Sequence, residues 1–273
     1  MRNNITNAKI TFTYNEFIDY VQNTPRTARA TKQGHKASEK TKEWGGVESL
    51  QEGIDLCRAG WDSGIEQMAL EDSFTAQKYI KRVPSMAGGS VNIGRYVSSA
   101  PDCMNTFSSN IKYARPRVTI VVPLVYGAFV SEEKAMDYSL DILKLVNSYQ
   151  THNDVRLIGV LSSSHDTDVI EGVAEDFIEV VIKDFGERFV LNSVACAFHP
   201  CFFRRLYFKY LETTKYVNYG YGSGVKSSRW ENFIKAIYKN SGHKVIATQS
   251  LNDDRQMGVY KESLNIVIEA PVV

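Results

Sequence analysis

Three stretches of this chain set chemically capable residues close together. The first, LSSSHDTDV, carries Ser162, Ser163, Ser164, His165, Asp166 and Asp168. Triad members normally converge from separate loops, so a serine nucleophile with its His and Asp in one run is a poor fit. The simpler reading is a polar loop in which Ser164 or Asp166 caps the following helix. The second is Cys196, His199 and Cys201. Thiols and imidazole are zinc ligands, but a site needs a fourth ligand, and a spacing of five is a poor match for one face of a continuous helix. These residues read as a buried thiol pair beside a capping histidine, with no metal and no other cofactor expected. The third is FFRRLYFKYLETTKYVNYGYGSGVKSSRW, residues 202 to 230. It interleaves Arg204, Arg205, Lys209, Lys215, Lys226 and Arg229 with Tyr216, Tyr219, Tyr221 and Trp230. Cations spaced this way follow a phosphate backbone while exposed rings stack on unpaired bases.

Charge distribution points the same way. The chain has 273 residues and a net charge of +1, yet the average hides an asymmetry. Residues 131 to 190 hold 13 acidic side chains against 5 basic, residues 202 to 244 hold 9 basic against 2 acidic, and residues 25 to 42 hold six bases and one acid. The last segment, PRTARATKQGHKASEKTK, has no periodicity and reads as a flexible basic arm or loop offering Arg26, Arg29, Lys32 and Lys36 to an acidic partner. The four cysteines form no CxxC pair, which fits reduced thiols. The longest apolar runs fall short of the roughly 20 residues of a membrane helix, and the amino terminus lacks the apolar core of a signal peptide, so a cytoplasmic protein without membrane contact is expected.

The elements that must position these residues follow from periodicity. KITFTYNEFIDYVQN reads as a short strand passing into a helix capped by Thr13 or Asn15. Ser49 followed by Glu52 forms a capping-box pattern ahead of an apolar stripe that Gly60 stops. SMAGGSVNIGRYVSSAPDCMNTF reads as a Gly-rich hairpin. From Arg117 strands and helices alternate: strands at 118–126, 155–161, 177–183, 243–249 and 263–269, and helices at 131–150, 166–173, 190–213 and 228–240. Pro200 splits the 190–213 run, ending one helix near Phe198 and opening the next. The pattern predicts an α/β fold, a mostly parallel sheet with helices on both faces, preceded by a mixed α+β N-terminal region at 1–115.

The loop after the first of these strands, PLVYGAFVSEE, holds neither a Gly-rich phosphate cradle nor an Asp-x-Ser-x-Ser metal motif, and Ser131 reads as a helix cap. With that motif absent, residues 116–273 resemble a degenerate von Willebrand factor A-like domain. The wider chain is similar to an uncharacterised family of bacteriophage proteins through WGGVESLQEGIDLCRAGW (44–61), GGSVNIGRYVSSAPDCMNTF (88–107) and ACAFHPCFFRRLYF (195–208). The resemblance implies a phage origin, hence the host cytoplasm, and a von Willebrand factor A-like fold. It brings no catalytic residue. Together these readings describe a non-enzymatic phage protein that binds single-stranded nucleic acid through Arg26, Arg29, Lys32, Lys36, Arg204, Arg205, Lys209, Tyr219, Tyr221, Lys226, Arg229 and Trp230, as an accessory to phage transcription or replication. A phage RNA polymerase, or another phage or host protein, would be its protein partner. The alternative is a metal-independent protein-interaction adaptor. A metal-dependent enzyme would need Asp166, Asp168, Asp253 and Asp254 to converge.

Overall fold

The computed structural model describes residues 10–28, 30, 37–39, 42–62, 82–87, 90–107, 115–126, 130–162, 177–187, 189, 191–214, 227–249 and 265–269. The chain divides into two units, Met1–Ser73 with Arg117–Val273, and the intervening Phe74–Pro116. This differs from the boundary near residue 115 expected above. The first strand, β1 (Ile10–Thr13), does not start a separate region; it pairs in parallel with β7 (Phe177–Lys183), with Ile10 opposite Ile178.

The main unit is built on a six-stranded sheet, mainly parallel, in the order β1-β7-β6-β5-β8-β9, where β5 is Arg117–Pro123, β6 Asp154–Ser162, β8 Lys244–Ala247 and β9 Ile266–Ile268. The pairs β5–β6, β5–β8 and β1–β7 are parallel, while β6–β7 and β8–β9 are antiparallel. The reversed β7 departs from a run of parallel crossovers, since antiparallel neighbours need none. Six of the seven residues of β5 are buried, as its unbroken apolar run requires of a central strand.

Local signals place the helices. α1 (Tyr14–Asn23) starts at Thr13, whose hydroxyl accepts from the Glu16 N–H while the Glu16 carboxylate accepts from the Thr13 N–H, a complete capping box. The short α2 (Lys42–Gly45) leads into α3 (Leu50–Ala59), capped by Ser49. At its far end Gly60 takes φ +95°, a conformation that glycine alone adopts without strain. α5 (Glu132–Gln150) starts at Ser131, whose hydroxyl accepts from the Lys134 N–H. The 190–213 run is broken where Pro200 demanded: α6 (Leu191–Cys196) ends in a turn, a π-helical segment follows at Phe202–Tyr207, and α7 (Phe208–Thr213) completes it. The expected helix at 166–173 lies outside the described residues.

The last helix, α8 (Ser227–Tyr238), covers one face of the sheet: Trp230, Phe233, Ile234 and Tyr238 pack on Val121, Ile158, Val160, Phe177 and Val245. Alternation turns Gly159 to the other face, where an added Cβ would press on Leu124 and Ile182. α1 packs on β7 and α5 on β6. The inserted unit holds a three-stranded antiparallel sheet, β2 (Arg82–Ser85), β4 (Met104–Phe107) and β3 (Ser90–Val91), with α4 (Ile93–Val97) between β3 and β4. The Gly-rich hairpin expected there is thus a strand pair interrupted by a helix.

One buried carboxylate tests the α8 face. The Tyr238 hydroxyl donates to Glu179 at 2.6 Å, and both residues are buried. Burial, reinforced by the adjacent carboxylate, keeps that phenol protonated far above its ordinary range. Tyr238→Phe keeps the ring and removes the donor. The expected loss is about 1–3 kcal/mol of unfolding free energy, read from urea denaturation.

Candidate functional site

Three of the basic residues singled out in the sequence sit inside the protein. Arg204, Arg205 and Lys209 are 4, 0 and 6% exposed, too little to track a phosphate backbone. Each is turned to a backbone carbonyl. Arg204 donates to Trp44 O at 2.9 Å and Val130 O at 2.8 Å, and its guanidinium lies over the rings of Trp44 and Tyr126. Arg205 donates to Ser38 O at 2.9 Å and to Val47 O. Lys209 Nζ donates to Thr24 O at 2.9 Å. Burial pushes the pKa of both Arg205 and Lys209 down from their ordinary values. The physical reason is that the carbonyls of Thr24, Ser38, Trp44, Val47 and Val130 lie within reach of these side chains, and a buried carbonyl without a donor is costly.

Trp230 is likewise 2% exposed, and its indole N–H donates to Thr248 O at 2.8 Å, so it cannot stack on a base. Arg26 is half-buried and pairs with Glu39 at 2.7 Å and with the fully buried Glu212 at 2.6 Å. Glu212 also accepts from the Ser38 N–H and hydroxyl. The described part of the 25–42 segment is therefore anchored rather than a free arm. Arg29, Lys32, Lys36, Tyr219, Tyr221 and Lys226 lie outside the described residues, as do the carboxylates Asp166, Asp168, Asp253 and Asp254; Arg229 lies on α8, its side chain undescribed. Among the described residues, Arg204, Arg205, Lys209 and Trp230 are buried and Arg26 is paired with carboxylates.

The chain leaves β5 on one side for β6 and later returns on its other side as β8, both in parallel, so a switch point of the sheet lies between β5 and β8. Beyond those strand ends Leu124, Val125, Tyr126 and Val130 are buried, and the Tyr138 hydroxyl meets Thr248 Oγ1 at 3.0 Å and donates to Gln249 O at 2.9 Å. The cavity beside them, lined by Leu124, Tyr138, His199 and Phe203, measures about 10 Å³, at most room for one water.

What the fold does gather is sulfur. Cys57 from α3 meets Cys196 and Cys201, all three buried, with their Sγ atoms within 4.8 Å of one another and Cys57 to Cys196 at 3.3 Å. The helix ends at Cys196 and restarts after a tight turn, so the two thiols that a continuous helix would separate come together. His199 does not join them; its Nδ1 accepts from the Cys201 N–H at 3.1 Å, and Trp61 packs edge-on against its ring. Burial pushes the Cys57 and Cys201 thiols and the Tyr14 phenol up, while hydrogen-bond contacts with Cys201 and then Cys57 hold Cys196 down to about 4. Cys57 and Tyr14 also line an open cleft of about 390 Å³ at the carboxyl ends of the parallel pair β1 and β7. The cleft's bases are engaged: Arg58 with Asp19 at 2.6 Å, Arg156 with Asp184 at 3.1 Å, and Lys183 with Val155 O and Asp184 O.

Two of the sequence blocks thus face each other. Gly45 lies so close to the Arg205 guanidinium that an added Cβ would fall 2.5 Å from its Cζ; Gly46, at φ +74°, would meet His199; Gly60 would meet Asn192. Residues 4–263 match the family described as Domain of unknown function (DUF7192). The chain belongs to that family. Neither the curated proteins nor the solved structures contain a match. In this DUF7192 chain, WGG and FFRR form one packed seam rather than two surfaces, and the signal available in the sequence was the pair of adjacent glycines, of which Gly45 faces Arg205 and Gly46 faces His199. Among the described residues no helix is long and apolar enough to cross a membrane.

Arg205→Ala strips donors from two buried carbonyls at about 1–3 kcal/mol each. A loss of about 3 kcal/mol or more in chemical denaturation is expected. Gly45→Ala should destabilise through the same guanidinium, and the two changes together should lose less than the sum of their separate effects.

Proposed function

We propose that this DUF7192 protein is a non-enzymatic protein-interaction module of phage origin. In this reading the main unit is a von Willebrand factor A-like scaffold without the metal motif, and a phage or host protein is gripped through the inserted unit. The observation that carries it is the apolar face of α4: Ile93, Tyr96 and Val97 are 75, 66 and 76% exposed at the i, i+3, i+4 spacing that puts them side by side. Met86 and Val91 of the same unit are exposed as well. Exposed apolar side chains gathered in this way mark interaction surfaces more than scattered ones do.

Chemistry favours a protein occupant over nucleic acid. The cation on α4, Arg95, makes a two-pronged pair with Asp102, both carboxylate oxygens at 2.6 Å from its Nη2, so the helix offers no unpaired charge to a phosphate there. That pairing holds the Asp102 carboxyl below its ordinary range. The inward-turned arginines Arg204 and Arg205 support a scaffold role in this reading.

The test compares the full chain with an Ile93→Glu, Val97→Glu variant of unchanged circular dichroism. Co-purification from phage-infected cells is read beside salt-titrated fluorescence anisotropy with single-stranded oligonucleotides. A protein retained by the parent and lost by the variant is expected, with no oligonucleotide binding. Oligonucleotide binding that weakens steeply with salt and survives the double change would overturn it in favour of nucleic acid.

A further inference from the structure

We propose that Cys57, Cys196 and Cys201 form a buried zinc site that ties α3 to the 191–213 run. Free cysteines in a core ordinarily behave as small apolar side chains, and nothing about packing requires three of a chain's four to converge. Here they do, from two segments far apart in sequence, with their sulfurs mutually within 4.8 Å. Three thiolates are a soft donor set that suits zinc or copper(I) and excludes magnesium and calcium.

Charge decides between the two soft ions. A buried site tolerates little net charge. Against three thiolates a divalent ion leaves one negative charge where a monovalent ion leaves two, which favours zinc.

The surroundings meet the remaining demands of a zinc site. Tetrahedral zinc takes a fourth ligand, and a water fills that place when the protein supplies three. Cys57 and Tyr14 border the open cleft of about 390 Å³, so the buried sulfurs lie next to a solvent-filled recess from which the ion and that water would enter. The His199 ring, held against Trp61, accepts from the Cys201 N–H and so fixes the backbone that carries one ligand, the role of an outer-shell group. This site is independent of the partner-binding reading: either stands if the other fails.

The full chain is purified under reducing, air-free conditions and its metal content measured by native mass spectrometry. One zinc per chain is expected, and cobalt(II) exchanged into the site should give thiolate-to-cobalt charge-transfer absorption. Cys57→Ser and Cys201→Ser should each weaken zinc binding on the order of a hundredfold, at least the upper range for loss of an outer-shell group. Cys103→Ser should leave it unchanged. Removing the zinc with a chelator should speed alkylation of the three thiols relative to the zinc-loaded chain and leave the rate at Cys103 unchanged, a readout on the unmodified chain that does not depend on any variant folding. Absence of stoichiometric zinc together with no cobalt–thiolate band, or a Cys57–Cys196 disulfide in the air-free protein, would overturn the assignment.

Discussion

The structure depends on a guanidinium that never reaches water. Arg205 sits at the centre of the π-helical segment and reaches the carbonyls of Ser38 and Val47, which belong to stretches on either side of α2. Those stretches have no sheet to join, so their polar backbone would be left unsatisfied without side-chain donors. Arg204 and Lys209 repeat the device at Trp44, Val130 and Thr24, and Glu212 closes it by holding Arg26 and Ser38. Gly45 makes room for Arg205, and Gly46 makes room for His199. The WGG block is a seat, and the FFRR block is what sits in it.

This arrangement inverts what a count of charges implies. A run of bases among aromatic residues has the same composition whether it lines a groove for phosphates or threads a core full of carbonyls. Periodicity does not separate the two, because the π-helical turn at 202–207 changes which positions share a face, and α-helical spacing puts Arg204 and Arg205 on the wrong side. The flanking aromatics carried the information: Phe202, Tyr207 and Phe208 are buried with the arginines between them, which leaves those cations nowhere to go but inward.

Much of the scaffold was legible. Strands at 118–126, 155–161 and 177–183 lie where apolar runs put them, Thr13, Ser49 and Ser131 cap the helices they were assigned, and Pro200 opens a new helix. These are local effects, fixed within a few residues. What escaped was long-range. The pairing of β1 with β7 and the arrival of Cys57 beside Cys196 and Cys201 depend on which segments meet, and no spacing within one segment records that. For Cys196 and Cys201, the spacing of a continuous helix does not hold across the break at Pro200.

The parallel edge made by β1 has a consequence for the order of events on the ribosome. Ile10 through Thr13 leave the tunnel early, yet their partners, Ile178 through Val181, are synthesised only after β5, α5 and β6. The seam between α3 and the π-helical segment waits longer still. Until residues past Glu212 emerge, α1, α3 and the carbonyls of Thr24, Ser38 and Val47 lack the segment that receives them, a state that invites chaperones and slow, cooperative closure. A protein whose opening residues are completed by its later ones behaves, during synthesis, as a clasp that shuts only when the second half arrives.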